Sequence, residues 1–372
     1  MKKKTRIALL GLLAVSGLLI WAAAAGNDAQ DSLVSLSYLN GTYASAVDAA
    51  VEDRLDDADQ TLLDAAKERD SGGAGVLVAE YADTWTEQRL KENDILEGYT
   101  GLSAMSLAGD VTVVYSSGAV VDATAGAVVP SGTVLTANHR YLVAEDTSAL
   151  FTVTSATAVV DYAGYYTLTL SDAVDYNAMA SALKTMHLFR GSFTGYGQGF
   201  DLEKVPTRLQ ALIMFIRVLG EEDAALSWSG TIPFTDLAKG SEAAKYVGYA
   251  YEKGYTNGFT ATQWRPGQAV SVNQYTEFVL RALGYSSAAN TDLSDTLARA
   301  QSCGLLTGRE ASALAGTPFL RAQLVYISYY ALDTTAAGTS KTLGDLLMSK
   351  GVYTAEEAAA ARRLVPGDRT LG

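Results

Sequence analysis

VPTRLQALIMFIRVLG, residues 205–220, has the texture of a buried helix, and AVSVNQYTEFVLRALG, residues 269–284, repeats it. Both close on Arg-x-Leu-Gly, at Arg217 and Arg281. Arg208 heads the first phrase nine residues before Arg217; Val272 stands at the same distance before Arg281. Gln210 and Gln274 each lie two residues past the head. A third copy, FLRAQLVYISYYAL at residues 319–332, has Arg321 at the head and Gln323 two residues on. The heads at 208, 272 and 321 are spaced by 64 and 49 residues. Upstream, LFRG ends at Gly191, GYTNG at Gly258 and GLLTG at Gly308, each after a helix-like run. Every copy therefore predicts a helix, a glycine turn, a variable loop and a second helix. Repeats on this scale are units that do not close a core alone.

Ahead of the repeats the texture changes. Residues 101–170 are rich in Val, Thr and Tyr, in short runs divided by Ser-Gly, Ala-Gly and Pro-Ser-Gly. That pattern predicts several short strands in a sandwich or barrel-like domain. Within LFTVT, Phe151 and Val153 alternate with Thr152 and Thr154, as in a half-buried strand. The passage to the helical part is expected near Ser171–Asn177, with Ser171 as helix N-cap. Further upstream, Tyr43, Val47, Val51, Leu55, Ala58, Leu62 and Ala66 recur at steps of three or four, an amphipathic helix. DSGGAG at 70–75 ends it.

The first residues read as an export signal. MKKKTR carries four positive charges, fifteen uncharged residues follow from Ile7 to Trp21, and Ala23-x-Ala25 offers cleavage before Gly26. The alternative is an uncleaved anchor, because Ile7–Ala25 is nineteen residues long. The net charge of −13 argues against nucleic acid and against an anionic membrane surface. Cys303 is the single cysteine, so no intramolecular disulfide forms. In ARAQSCGLL it reads as a small apolar core residue.

With the repeats laid out, a resemblance can be stated. PFTDLAKGSEAAKYVGYAYEKGYTNGFTATQWRPGQAVSVNQYTEFVLRALGY resembles an S-layer homology (SLH) repeat through Phe234, Asp236, Tyr246, Gly254, Gly258, Trp264, Pro266 and Arg281–Gly284. The first copy keeps Phe200, Thr207, Arg208 and Arg217–Gly220; the third keeps Gly304, Gly308, Arg321 and Ala322. The resemblance implies a helical module that binds secondary cell-wall polysaccharide, linked to peptidoglycan, and holds a protein on Gram-positive-type surfaces. It places the Arg of a Thr-Arg-Ala-Glu phrase in an inter-repeat groove facing an acidic sugar. A guanidinium suits that task, being always charged and able to bind a carboxylate bidentately. Carried over, the glycan-binding set is Thr207, Arg208, Gln210, Trp264, Arg321 and Gln323, with Trp264 either stacking on a sugar ring or filling the core. The family's Glu is Gln in all three copies, and the second copy has Val272 in place of Arg.

The fold class expected is multidomain α+β: a signal peptide at 1–25, a helical segment at 26–75, a small β-rich domain at 76–171, and an all-α SLH-like module at 172–372. Its repeats run about 172–226, 232–286 and 291–333, with a C-terminal helix after them. The function expected is an extracellular protein held non-covalently on the wall, without enzymatic activity, cofactor or metal. The alternatives are a secreted glycan-active hydrolase or an SLH-like scaffold that binds nothing; self-assembly of the surface protein stays open. His139 and His187 lie in unrelated textures and form neither a zinc site nor a triad. GSFTGYGQGF, 191–200, is glycine-rich but is no phosphate loop; it is the variable loop of the first copy. Asp110, Asp122, Glu145, Asp146 and Asp161 are the carboxylates from which a glycosidase pair would have to come.

Overall fold

In the computed structural model, residues 79–191, 199–316, 318–365 and 369 are described, and they belong to one compact unit, Leu77–Gly372. The expected signal peptide, its Ala25–Gly26 cleavage point, the helix of residues 43–66 and most of the first variable loop lie outside the described residues.

The β part corrects the expected fold class. It is not a small domain of short strands preceding a separate all-α module. All ten strands among the described residues join one large antiparallel sheet over residues 80–169, inside the same compact unit as the helices. The strands are β1 Glu80–Lys91, β2 Ile95–Gly98, β3 Ser103–Ala108, β4 Val111–Val114, β5 Val120–Asp122, β6 Ala127–Val129, β7 Thr133–Val134, β8 Arg140–Val143, β9 Ala149–Val153 and β10 Thr157–Thr169. Their order is β6-β5-β8-β3-β10-β2-β9-β4-β7, and β1 lies on β10. Thirteen-residue β10 is the spine, pairing with β1 over 157–166, with β3 over 159–163 and with β2 over 166–169. Alternation sorts the faces: Ala149, Phe151 and Val153 of β9 are buried, and Leu150 is exposed. Leu90, Leu96, Tyr141, Phe151 and Tyr162 form the heart of this core. At Gly164, with φ +119°, an added Cβ would lie 2.8 Å from Leu102 Cα, so only glycine lets these segments meet.

Ten helices follow among the described residues: α1 Tyr176–Thr185, α2 Arg208–Val218, α3 Glu222–Leu226, α4 Glu242–Glu252, α5 Val272–Ala282, α6 Thr296–Ser302, α7 Gly308–Ala315, α8 Arg321–Ala331, α9 Leu343–Ser349 and α10 Ala355–Leu364. The three repeated phrases are α2, α5 and α8, which pack on one another around Phe215, Tyr275, Phe278 and Tyr326. Phe215 and Phe278 stand 5.7 Å apart, and Tyr275 shares a 2.6 Å hydrogen bond with Ser328. The closing glycine of each Arg-x-Leu-Gly has a cause. Gly220 and Gly284 sit at φ +66° and +82°, where the next residue's N–H turns back to the helix, Glu221 to Ile216 O and Tyr285 to Leu280 O.

The repeated glutamine also has a local cause. Thr207 Oγ1 accepts from Gln210 N, and Thr207 N donates to Gln210 Oε1; Ser271 and Gln274 repeat the exchange. These are capping boxes, which Gln closes as well as Glu. Leu320 has no side-chain acceptor, so α8 keeps only the return bond, Leu320 N to Gln323 Oε1 at 2.8 Å. Ser271→Ala should therefore cost about 1 kcal/mol, read as a lower urea midpoint at unchanged slope.

Sheet and helices meet through specific bonds. Asp94 takes Lys91 Nζ at 2.7 Å and Ser171 N at 2.7 Å, and Asn177 Nδ2 donates to Leu90 O. Thr157 Oγ1 donates to Glu203 Oε1 at 2.7 Å. Ser171 is thus occupied at the junction, its hydroxyl donating to Glu92 O, and the N-cap of α1 is Asp175, which accepts from Ala178 N.

Candidate functional site

The site begins with backbone docking of α2 on the second copy's loop. Arg208 N donates to Gln268 O at 2.8 Å and Leu209 N to Pro266 O at 3.1 Å. The Arg208 side chain then lies over Trp264, its guanidinium carbon 4.7 Å from the ring centroid. Nε donates to Trp264 O at 3.0 Å. Arg208 is only 5% exposed, yet among the described residues no carboxylate lies within ion-pair distance. Burial pushes its pKa down to about 10, against the field of Asp236.

Asp236 itself is spent on the loop, accepting from Trp264 N at 3.0 Å and Arg265 N at 2.7 Å. Burial pushes its carboxyl up, but these N–H groups outweigh that and hold it below the usual carboxylate range. With a folded pKa below the unfolded one, its stabilisation is complete above the ordinary carboxylate range and is lost as pH falls through the lowered value. Asp236→Asn should flatten the acid limb of stability as pH falls below about 4, followed by urea denaturation.

Arg208 faces a cavity of about 270 Å³ at the seam between the first two copies. Asn257, Gln274, Glu277, Arg281 and Asn290 also line it. Arg281 is a second guanidinium there, but a neutralised one. Its Nε donates to Glu277 Oε1 at 2.9 Å and its Nη2 to Asn290 O at 2.6 Å. Arg299 Nη2 reaches the other oxygen of Glu277 at 2.9 Å. The cavity therefore combines a guanidinium without a carboxylate partner, one bound pair and three amides. That set suits an anion carrying hydroxyl or amide groups.

Of the residues expected at the site, Arg208 and Trp264 are brought together, but Trp264 is no sugar platform. It is 0% exposed, its Nε1 donates to Thr256 Oγ1 at 3.2 Å, and it serves as floor for Arg208. Thr207, Gln210 and Gln323 cap helices. Arg321 lies at a different seam, docked as Arg208 is: Arg321 N donates to Lys204 O and Ala322 N to Leu202 O, the positions 64 residues before Gln268 and Pro266. Its Nη1 is 3.8 Å from Asp201, and its buried Nε has no hydrogen-bond partner. Sequence reading missed Arg281 as a lining residue. The signal was present in Glu277 and Arg281, an i,i+4 ion pair on one helix.

Elsewhere, His139 Nδ1 pairs with Asp122 at 2.7 Å and His187 with Glu357 at 2.9 Å. Cys303 packs against the helical core, where burial pushes its thiol up. Among the described residues no group of acids, histidines and cysteines is arranged to hold a metal, and no helix is long and apolar enough to cross a membrane. Comparison with protein-family models returned no match, and comparison with curated proteins returned none.

Proposed function

We propose that this chain is an exported cell-surface protein held non-covalently on the cell wall, its SLH-like repeats binding an acidic secondary cell-wall polysaccharide at the Arg208 cavity. The observation that carries the reading is Arg208 itself, a buried arginine whose side chain faces a cavity and lacks a carboxylate partner among the described residues. Taking a charge out of water without a counter-ion is costly, and a ligand carboxylate arriving in the cavity would offset that cost. The neutral amides of Asn257 and Gln274 would meet ring hydroxyls, while Arg281 stays tied to Glu277. The reading involves no reaction, cofactor or metal.

The test is co-sedimentation of the purified chain with cell walls, before and after chemical removal of their secondary polymer. Intact walls should deplete the protein from solution and stripped walls should not. Equal depletion by both, or by neither, overturns the reading.

A further inference from the structure

The helical cavity leaves the large sheet without a task, and the face of the sheet away from its core is built unlike a plain solvated surface. Along β1 the pairing with β10 is regular at Ala82↔Gly164 and again at Thr86↔Tyr162, so residues 83–85 oppose Ala163 alone. Bulges of this kind re-aim side chains and recur beside binding sites. Here the bulge presents Trp85, 42% exposed. The Arg140 guanidinium stands 5.5 Å from its ring, anchored through Nη2 to Ser103 Oγ at 3.0 Å. One step further along the same two strands, Tyr81, 58% exposed, lies against Tyr165, the ring centroids 4.5 Å apart and the planes tilted by 47°.

Beside the aromatics runs a transverse row read from the register: Glu87 opposite Asp161, Asp161 opposite Met105, Met105 opposite Arg140. The alternate positions Tyr162, Ala104 and Tyr141 are buried in the core, so the row lies on the other face. Two carboxylates directly opposed across strands oppose folding. Asp161 records the conflict, its carboxyl pushed up by burial and by the charge of Glu87. Breaking a local rule in this way is a mark of functional surfaces.

We propose that this face is a second binding site, which takes a neutral polysaccharide chain. Trp85 and the Tyr81–Tyr165 pair offer apolar ring faces to the C–H faces of successive sugars. Asp161 accepts hydrogen bonds from hydroxyls, as does Glu87 through the oxygen that Arg89 Nη2, 2.8 Å from the other one, leaves open, and Arg140 donates to them. A row with acceptors at one end and a donor at the other matches a polyol, which carries both functions at every ring. An anionic polymer meets the two carboxylates, and a cationic one meets Arg140. The inference goes beyond the wall-anchoring reading and does not depend on it.

The test is electrophoresis of the full chain through native gels cast with soluble β-glucan, xylan or mannan. At least one polymer should retard the wild type, and high salt should leave the retardation intact. Trp85→Ala, a change at an exposed position, should weaken it at least tenfold, while Arg208→Ala, at the helical cavity, should migrate as wild type does. Asp161→Asn should weaken retardation and at the same time raise the melting temperature, because it removes the like-charge conflict. Absence of retardation by all three polymers overturns the proposal. So does retardation that survives Trp85→Ala, or that Arg208→Ala, shown folded by circular dichroism, abolishes equally.

Discussion

Glu277→Ala should lower the free energy of unfolding by about 3–5 kcal/mol, the cost of removing one member of a buried ion pair. Glu277 is 1% exposed and holds two guanidiniums at once, Arg281 through one oxygen and Arg299 through the other. Ser286 and Thr296 donate to the same carboxylate. Without it, Arg281, whose side chain is 4% exposed, keeps among the described residues only the carbonyl of Asn290. The loss therefore reaches α5, α6 and the segment between them. Urea denaturation at neutral pH gives the value. Glu277→Leu combined with Arg281→Met should recover part of the loss, because an apolar pair of similar volume leaves no unpaired charge at that position. A loss below about 1 kcal/mol for Glu277→Ala would mean that water reaches the cluster.

Arg208→Ala should weaken wall binding tenfold to a hundredfold, since a charged hydrogen-bonding pair is worth roughly 1.5–3 kcal/mol. The same change removes the bond to Trp264 O and the contact with its ring, so stability has to be measured alongside. Two further variants separate the roles. Arg208→Met keeps an apolar stem over Trp264 and loses the charge; Arg208→Lys keeps the charge and loses the planar fork. If the guanidinium meets a sugar carboxylate, both bind walls weakly while Arg208→Met stays folded by circular dichroism. Arg321→Ala should cost less binding, because Arg321 already has Asp201 3.8 Å away. Undiminished sedimentation of a folded Arg208→Met/Arg321→Ala double variant would leave the repeats as scaffold only.

The starts of α2 and α5 were legible in the chain because they are local. Thr207 with Gln210, and Ser271 with Gln274, close their capping boxes within a single turn. The stops at Gly220 and Gly284 were legible for the same reason, a left-handed residue that glycine supplies without strain. By contrast, β1 was hidden. EYADTWTEQRLK is polar and largely exposed, and it is a strand only because β10, some seventy residues later, supplies its partners. The same non-locality concealed that β2 lies between β9 and β10 and that all ten strands form one sheet rather than a small domain. Strand partners are set by long-range closure, which leaves no local mark. The candidate sites divide in the same way. The residue types at Arg208, Arg281 and Trp264, and the 64-residue repeat that relates the first two copies, belong to the sequence. Only tertiary packing decided that Trp264 is floor rather than platform, that Glu277 neutralises Arg281 and not Arg208, and that Trp85 stands on a bulge beside Arg140. A side chain's charge and shape are written in the chain, but its burial and its partner are properties of the surfaces that meet around it.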